Sequence, residues 1–271
     1  MPPVPANVVS RAFGWLRELQ RRYNAISGPT LAGGVTLYGF LALFALLVLG
    51  VAILGFLSAD NSHLARDIAA QLGLTGQAAR IITESVNAAQ KSRRLATVVG
   101  VVGIIWLGTS FALVVANAFD AAWRVPGRGL RDRAWGFVWL LGAAVLLGAA
   151  GLATAGWDLL PTPFAPLVVA ISLAMNATLW MWTSWILPNR SVAWRILVLP
   201  ALLAAVAFEV LKTAGAYIVP RYVERSSELY GTIGVVFAIL LWLLVLGRVV
   251  VYVAVIEAWH SERTEAAPIL E

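Results

Sequence analysis

Long uninterrupted runs of apolar residues, set apart by short charged segments, dominate the chain. Residues 31–57, 95–119, 134–157, 159–189 and 229–247 contain no Asp, Glu, Lys or Arg. Each exceeds the roughly 18 residues that mark a helix able to cross a bilayer. A further run, 196–219, carries two charges, Glu209 and Lys212. The runs do not alternate between apolar and polar positions, so they predict helices and not barrel strands. The pattern predicts an all-α integral membrane protein, a bundle of six transmembrane helices at about 31–57, 95–119, 134–157, 165–187, 195–219 and 229–257. Pro161, Pro163 and Pro166 turn the chain between the third and fourth spans.

Ahead of the first span the pattern changes. Residues 1–7 are Pro-rich and predict a disordered start. Beyond them Val9, Ala12, Phe13, Leu16 and Leu19 share one helical arc, with Arg11, Glu18, Arg21 and Arg22 opposite and Trp15 at the edge. That is an amphipathic helix lying in the membrane interface. It lacks the continuous apolar core of a signal peptide. Gly28-Pro29 ends it. The chain thus divides into 1–28, a membrane domain over 29–257, and a cytoplasmic tail, 258–271. The sizeable extramembrane element is 58–94. There Asp60 or Ser62 can cap one short helix ending near Gly73, and Thr75 can cap a second carrying Ile81, Ile82 and Val86. This pair reads as an extracytoplasmic lid or a simple connector.

Composition agrees: 60% hydrophobic and 13% charged, against about 25% charged in soluble domains. The absence of cysteine excludes disulfides and thiolate chemistry, and His63 and His260 are the only histidines, so no metal or cofactor is expected. The net charge of +6 is distributed beside the spans. Eleven Lys and Arg flank them on the side of the termini and seven on the other, which places both termini in the cytoplasm. No basic stripe interleaved with aromatics points to nucleic acid; the expected partners are membrane lipids, anionic ones above all. Trp15, Trp123, Trp135, Trp139, Trp185, Trp194 and Trp259 fall near that same boundary, and Trp157 near the outer one. Gly142, Ala143, Gly148 and Gly151 give the third span a small-residue face suited to packing within one subunit or to a homodimer.

Ionisable groups inside a lipid span are functional candidates. Three fall there: Glu209, Lys212 and Arg248. Glu209 and Lys212, three apart, share a helical face and can pair, either as a packing lock or as a patch that accepts a charged head group or a proton. Counted from the outer ends of their helices, Glu209 and Arg248 differ in depth by about 12 Å, so no direct pair is expected. Arg248 either snorkels to the cytoplasmic phosphates or faces inward as a counter-charge. Asn117 and Asp120, which close the second span on one face, and Asn176 in the fourth are further candidates for substrate binding or coupling; interhelical hydrogen bonding is the alternative account of the asparagines. No Ser-His-acid set, carboxylate pair or phosphate loop is found, so no enzymatic activity is expected.

The segments LPNRSVAWR at 187–195, with Pro188, Asn189 and Trp194, FEVLK at 208–212, and ELYGTIG at 228–234, with Tyr230 and Gly231, resemble the YihY/BrkB family of bacterial inner-membrane proteins. LAGGVTLYGFLALF at 31–44 and DAAWRVPGR at 120–128 agree more loosely; Ala45 and Asp120 stand where the family commonly has proline and asparagine. The resemblance implies a six-helix inner-membrane protein with both termini cytoplasmic, linked to envelope integrity and to export of lipids or their precursors. The family's old ribonuclease label finds no support in these residues. Two functions follow as expectations: a transporter or flippase-like protein for an amphipathic anionic molecule, or a non-transporting scaffold for envelope assembly.

Overall fold

The computed structural model describes residues 6–57, 76–127, 129, 131–155, 165–190 and 192–266. Among them the regular structure is all helical: α1 (Ala6–Ala25), α2 (Gly28–Leu57), α3 (Gly76–Trp123), α4 (Arg131–Ala155), α5 (Ala165–Ile186) and α6 (Trp194–Ala266). Five stretches, Gly28–Gly50, Thr97–Trp123, Arg131–Ala149, Trp194–Val219 and Ile233–Thr264, are long and apolar enough to cross a membrane. They coincide with five of the six expected spans. Helix α5 stands where the fourth is expected and is not among those five.

Three boundaries differ from expectation. The second lid helix is not separate: helical backbone runs unbroken from Gly76 into the second span, because no Gly or Pro occurs between Gly76 and Gly100 to stop it. The first lid helix, with residues 58–75, lies outside the described residues. The fifth and sixth spans share one run of helical backbone, Trp194–Ala266; the nine residues after Pro220, RYVERSSEL, hold no helix breaker. Finally, the expected tail is helical as far as Ala266.

A straight helix would hold Gly215 and Trp242 about 40 Å apart. Instead a Cβ placed on Gly215 would lie 2.5 Å from the Trp242 ring. The path of α6 therefore reverses between these residues, and the parts on either side, α6a (194–215) and α6b (242–266), run side by side. Glycine at 215 lets the indole lie against the helix backbone.

Two compact units are distinguished, one of Met1–Leu37 with Ser110–Glu271 and one of Tyr38–Thr109. In the smaller unit α2 and α3 approach at small residues, a Cβ on Gly100 falling 3.1 Å from Leu49 Cα. The larger unit holds the main core, in which Val115, Phe119, Trp139, Trp180, Leu197, Ala204 and Ala254 pack together. Among its described side chains, α1 docks there by one face. Leu19 is buried with Val255 and Trp259, Tyr23 stacks on Tyr252 at 4.3 Å, and Arg22 reaches Glu262 at 2.7 Å. Phe13 and Leu16 on the expected apolar arc stay exposed, free to enter the interface. Ser27, at φ 56°, closes α1, and its carbonyl accepts the Thr30 and Leu31 N–H groups that open α2.

Candidate functional site

Glu209 and Lys212 form the pair their spacing predicts. Lys212 Nζ lies 2.8 Å from Glu209 Oε2. Helix α5 runs antiparallel beside α6a and completes the cluster: Ser172 Oγ donates to Glu209 Oε1 at 2.9 Å, and Asn176 Nδ2 donates to Glu209 Oε2 at 2.7 Å. Lys212 also donates to Ser172 Oγ at 3.1 Å. Asn176, a candidate from its place in an apolar span, is thus brought together with Glu209 and Lys212, and Ser172 joins them unforeseen. Its position one turn before Asn176 in an apolar run was the available signal. The side chains are not sealed in, Lys212 being 45% exposed and Glu209 24%.

Arg248 takes no part, though not for the expected reason. The register of Gly215 against Trp242 brings Arg248 and Glu209 to one depth, removing the 12 Å offset counted from assumed helix ends. Direction separates them. Arg248 is four residues before Tyr252 and shares its face; Tyr252 donates to Gln20 Oε1 of α1 at 2.6 Å. Burial raises the Tyr23 pKa, neighbouring Tyr252 adds to this, and the Arg248 guanidinium opposes it. Arg248 therefore lies on the side of α6 turned toward α1, away from the Glu209 cluster.

Asp120 and Asn117 part company. Asn117 is exposed, whereas Asp120 is 4% exposed and its Oδ1 accepts the backbone N–H of Asn189 at 2.7 Å. Asn189 Nδ2 in turn donates to the Pro126 carbonyl at 2.7 Å. With Pro188 fully buried beside them, the LPN and DAAWRVPG segments interlock as a clamp at the ends of α3 and α5. Asp120, Pro188 and Asn189 meet in this clamp and not at the Glu209 cluster. Trp194 opens α6 and is exposed; Tyr230 and Gly231 lie in helical backbone.

One residue that the sequence reading did not single out for the site is Glu257, 1% exposed. Ser184 Oγ lies 2.5 Å from its Oε1 and 2.9 Å from the Trp180 carbonyl. One hydroxyl hydrogen cannot serve both acceptors. Glu257 Oε2 is buried with no hydrogen-bond partner among the described residues. The chain around Glu257 gives no sign of this burial, because the residue closes an apolar stretch near charged tail residues, where a solvated acid is the ordinary expectation. No group of His, Cys, Asp and Glu able to hold a metal occurs among the described residues.

Helices α4, α5 and α6a bound a lateral groove of about 1140 Å³ whose lining includes none of the four cluster residues. Leu141, Val145, Thr178, Met181, Trp185 and Leu202 contribute to its largely apolar lining. A Cβ on Gly142 would fall 2.4 Å from Trp182, so this glycine is used within one subunit. The groove ends at Val192, Ala193 and Trp194, where α6 begins.

The profile of the family described as Virulence factor BrkB matches residues 19–269. The chain belongs to the BrkB family. It is 28% identical over 251 residues to a UPF0761 membrane protein of Ralstonia nicotianae, covering 85% of this chain and 56% of that one. It is 25% identical over 239 residues to the inner membrane protein YhjD of Escherichia coli K12, covering 76% and 69%. A UPF0761 membrane protein of Chromohalobacter salexigens is 26% identical over 272 residues, covering 93% and 64%. The chain spans little more than half the length of the first of these relatives. No solved structure matches. The BrkB match extends from late α1 through the Asp120–Asn189 clamp and the Glu209 cluster to the end of α6.

Proposed function

We propose that this BrkB-family membrane protein moves an amphipathic anionic molecule, a lipid or lipid-linked precursor, across the bacterial inner membrane. In this reading six helices span the bilayer, with α5 as the fourth, both termini are cytoplasmic, and the protein is not an enzyme. The carrying observation is the Ser172–Asn176–Glu209–Lys212 cluster, an ion pair set within apolar spans and partly exposed. Breaking a buried ion pair ordinarily leaves an uncompensated charge. Here, if Lys212 turns to an incoming anionic head, Glu209 keeps its hydrogen bonds from Ser172 and Asn176. The cluster can therefore exchange one partner at reduced cost, which a transient binding site requires.

The scaffold reading has its own support. The four side chains also satisfy one another, as a packing lock would, and a clamp ties the loops at one end. Reconstitution separates the two. Proteoliposomes containing labelled phosphatidylglycerol are expected to show protein-dependent movement between leaflets, reduced at least tenfold by Glu209→Gln and by Lys212→Met. Absence of movement in the wild type, or variants indistinguishable from it, would defeat transport and leave the scaffold.

A further inference from the structure

We infer that the lateral groove between α4, α5 and α6a is a phospholipid site, holding an acyl chain along its length and an anionic head group at the start of α6. The site takes its lipid from the leaflet on the side of the termini, and this holds whether or not the protein moves lipid.

The groove belongs to the surface that an integral membrane protein turns toward hydrocarbon, and its lining is apolar from Val145 to Leu197. A lipid tail fits such a wall, but discriminates poorly, because bulk lipid tails are as apolar as the wall itself. Selection must come from the polar end. There Val192, Ala193 and Trp194 line the groove at the positive end of α6: the Ile196 N–H donates to the Ala193 carbonyl at 2.9 Å, and the N–H groups before it have no intrahelical acceptor. No acidic residue occupies that first turn or the groove wall.

Arg195 supplies a full charge at the same place. Its guanidinium carbon sits 5.6 Å from the centre of the Trp194 ring. By helical spacing Arg195, Val198 and Leu202 form one stripe, the latter two lining the groove. The neighbouring cation, Arg190, is engaged instead over Trp123 at 4.9 Å. Trp185 and Trp194, both more than half exposed, flank the opening as interfacial indoles do. An apolar trough that ends in a helix N-terminus, an arginine and two indoles matches a phospholipid: tail, phosphate and glycerol region in that order.

The test uses full-length protein in vesicles containing phosphatidylglycerol or phosphatidylcholine with a photoreactive diazirine on one acyl chain. Adducts are mapped by mass spectrometry. They are expected to concentrate on residues 141–145, 178–185 and 198–202, with phosphatidylglycerol favoured about fivefold. That is the factor given by the roughly 1 kcal/mol of one basic residue near an anionic lipid surface. Arg195→Gln should abolish the preference while leaving adduct positions in place, and Thr178→Trp or Val145→Trp should empty the groove. Adducts spread evenly over all spans, equal labelling by both lipids, or cysteines at 178 and 202 cross-linking two copies of the chain would overturn the site. Protein that labels as expected yet moves no lipid would lose the transport reading and keep this one.

Discussion

Replacing Asp120 separates a structural role from a functional one. In the structure its Oδ1 receives the Asn189 N–H at 2.7 Å in a nearly buried position. Asp120→Ala removes a hydrogen bond to a charged group, worth about 1.5–3 kcal/mol, and strands a backbone donor at a comparable cost. These describe one event seen from two partners, so the net loss is about 2–3 kcal/mol. For a domain of this size each kcal/mol moves the midpoint by roughly 2–4 °C, and thermal unfolding in detergent should show a Tm lower by about 4–12 °C. Asp120→Asn keeps an acceptor oxygen and should lose less than half as much. Lipid movement per folded molecule should be unchanged in both. An Asp120→Ala protein as stable as wild type but inactive would refute the clamp and return Asp120 to the working site.

Other expectations follow from the same geometry. Ser184→Ala strands a carboxyl oxygen of Glu257 and should destabilise by about 1–3 kcal/mol, whereas Glu257→Gln, which can donate to Ser184 Oγ, should stay within about 1 kcal/mol of wild type in the same melt. Gly142→Leu forces side-chain atoms into the Trp182 ring and should lower stability by about 1–3 kcal/mol as overpacking does. The Arg21 and Arg22 guanidiniums hold the Glu18 pKa down to about 2. A carboxylate so depressed contributes above its unfolded pKa near 4.5 and loses that contribution as pH falls toward 2. Both arginines stand on α1 itself, so the helicity of an α1 peptide, read by circular dichroism, should hold from about pH 7 to 5 and fall only below about pH 4; loss near pH 6 would contradict the Glu18–Arg21–Arg22 cluster.

The hydrophobic pattern made most of the architecture legible, because lipid demands continuous apolar helices and places charges at their ends. It located five apolar helical stretches, with ends that agree to within about eight residues, the amphipathic α1 and the Glu209–Lys212 pair, whose contact depends only on helical spacing. What the pattern could not reach depends on register between helices. Arg248 was misplaced in depth because the count assumed helices ending near Val219 and Tyr230, where helical backbone in fact continues. Asn176 stands out as a polar residue in an apolar span, but its meeting with Ser172 and Glu209 depends on α5 lying antiparallel to α6a. The Asp120–Asn189 clamp joins residues 69 apart in sequence, so no local signal could announce it. Glu257 was hidden for the same reason: burial is conferred by neighbours, not by its own surroundings in the chain.

The chain contains no cysteine, so one introduced thiol reports without interference whether the Glu209 cluster opens to water. With Ser172→Cys in vesicles, a transporter predicts modification by a membrane-impermeant maleimide well above that of Leu203→Cys on the lipid-exposed face of α6a. Slowing by added anionic lipid is expected too. Labelling of Ser172→Cys no faster than that of Leu203→Cys, with or without lipid, would mean a cluster that never opens, and would contradict transport through it.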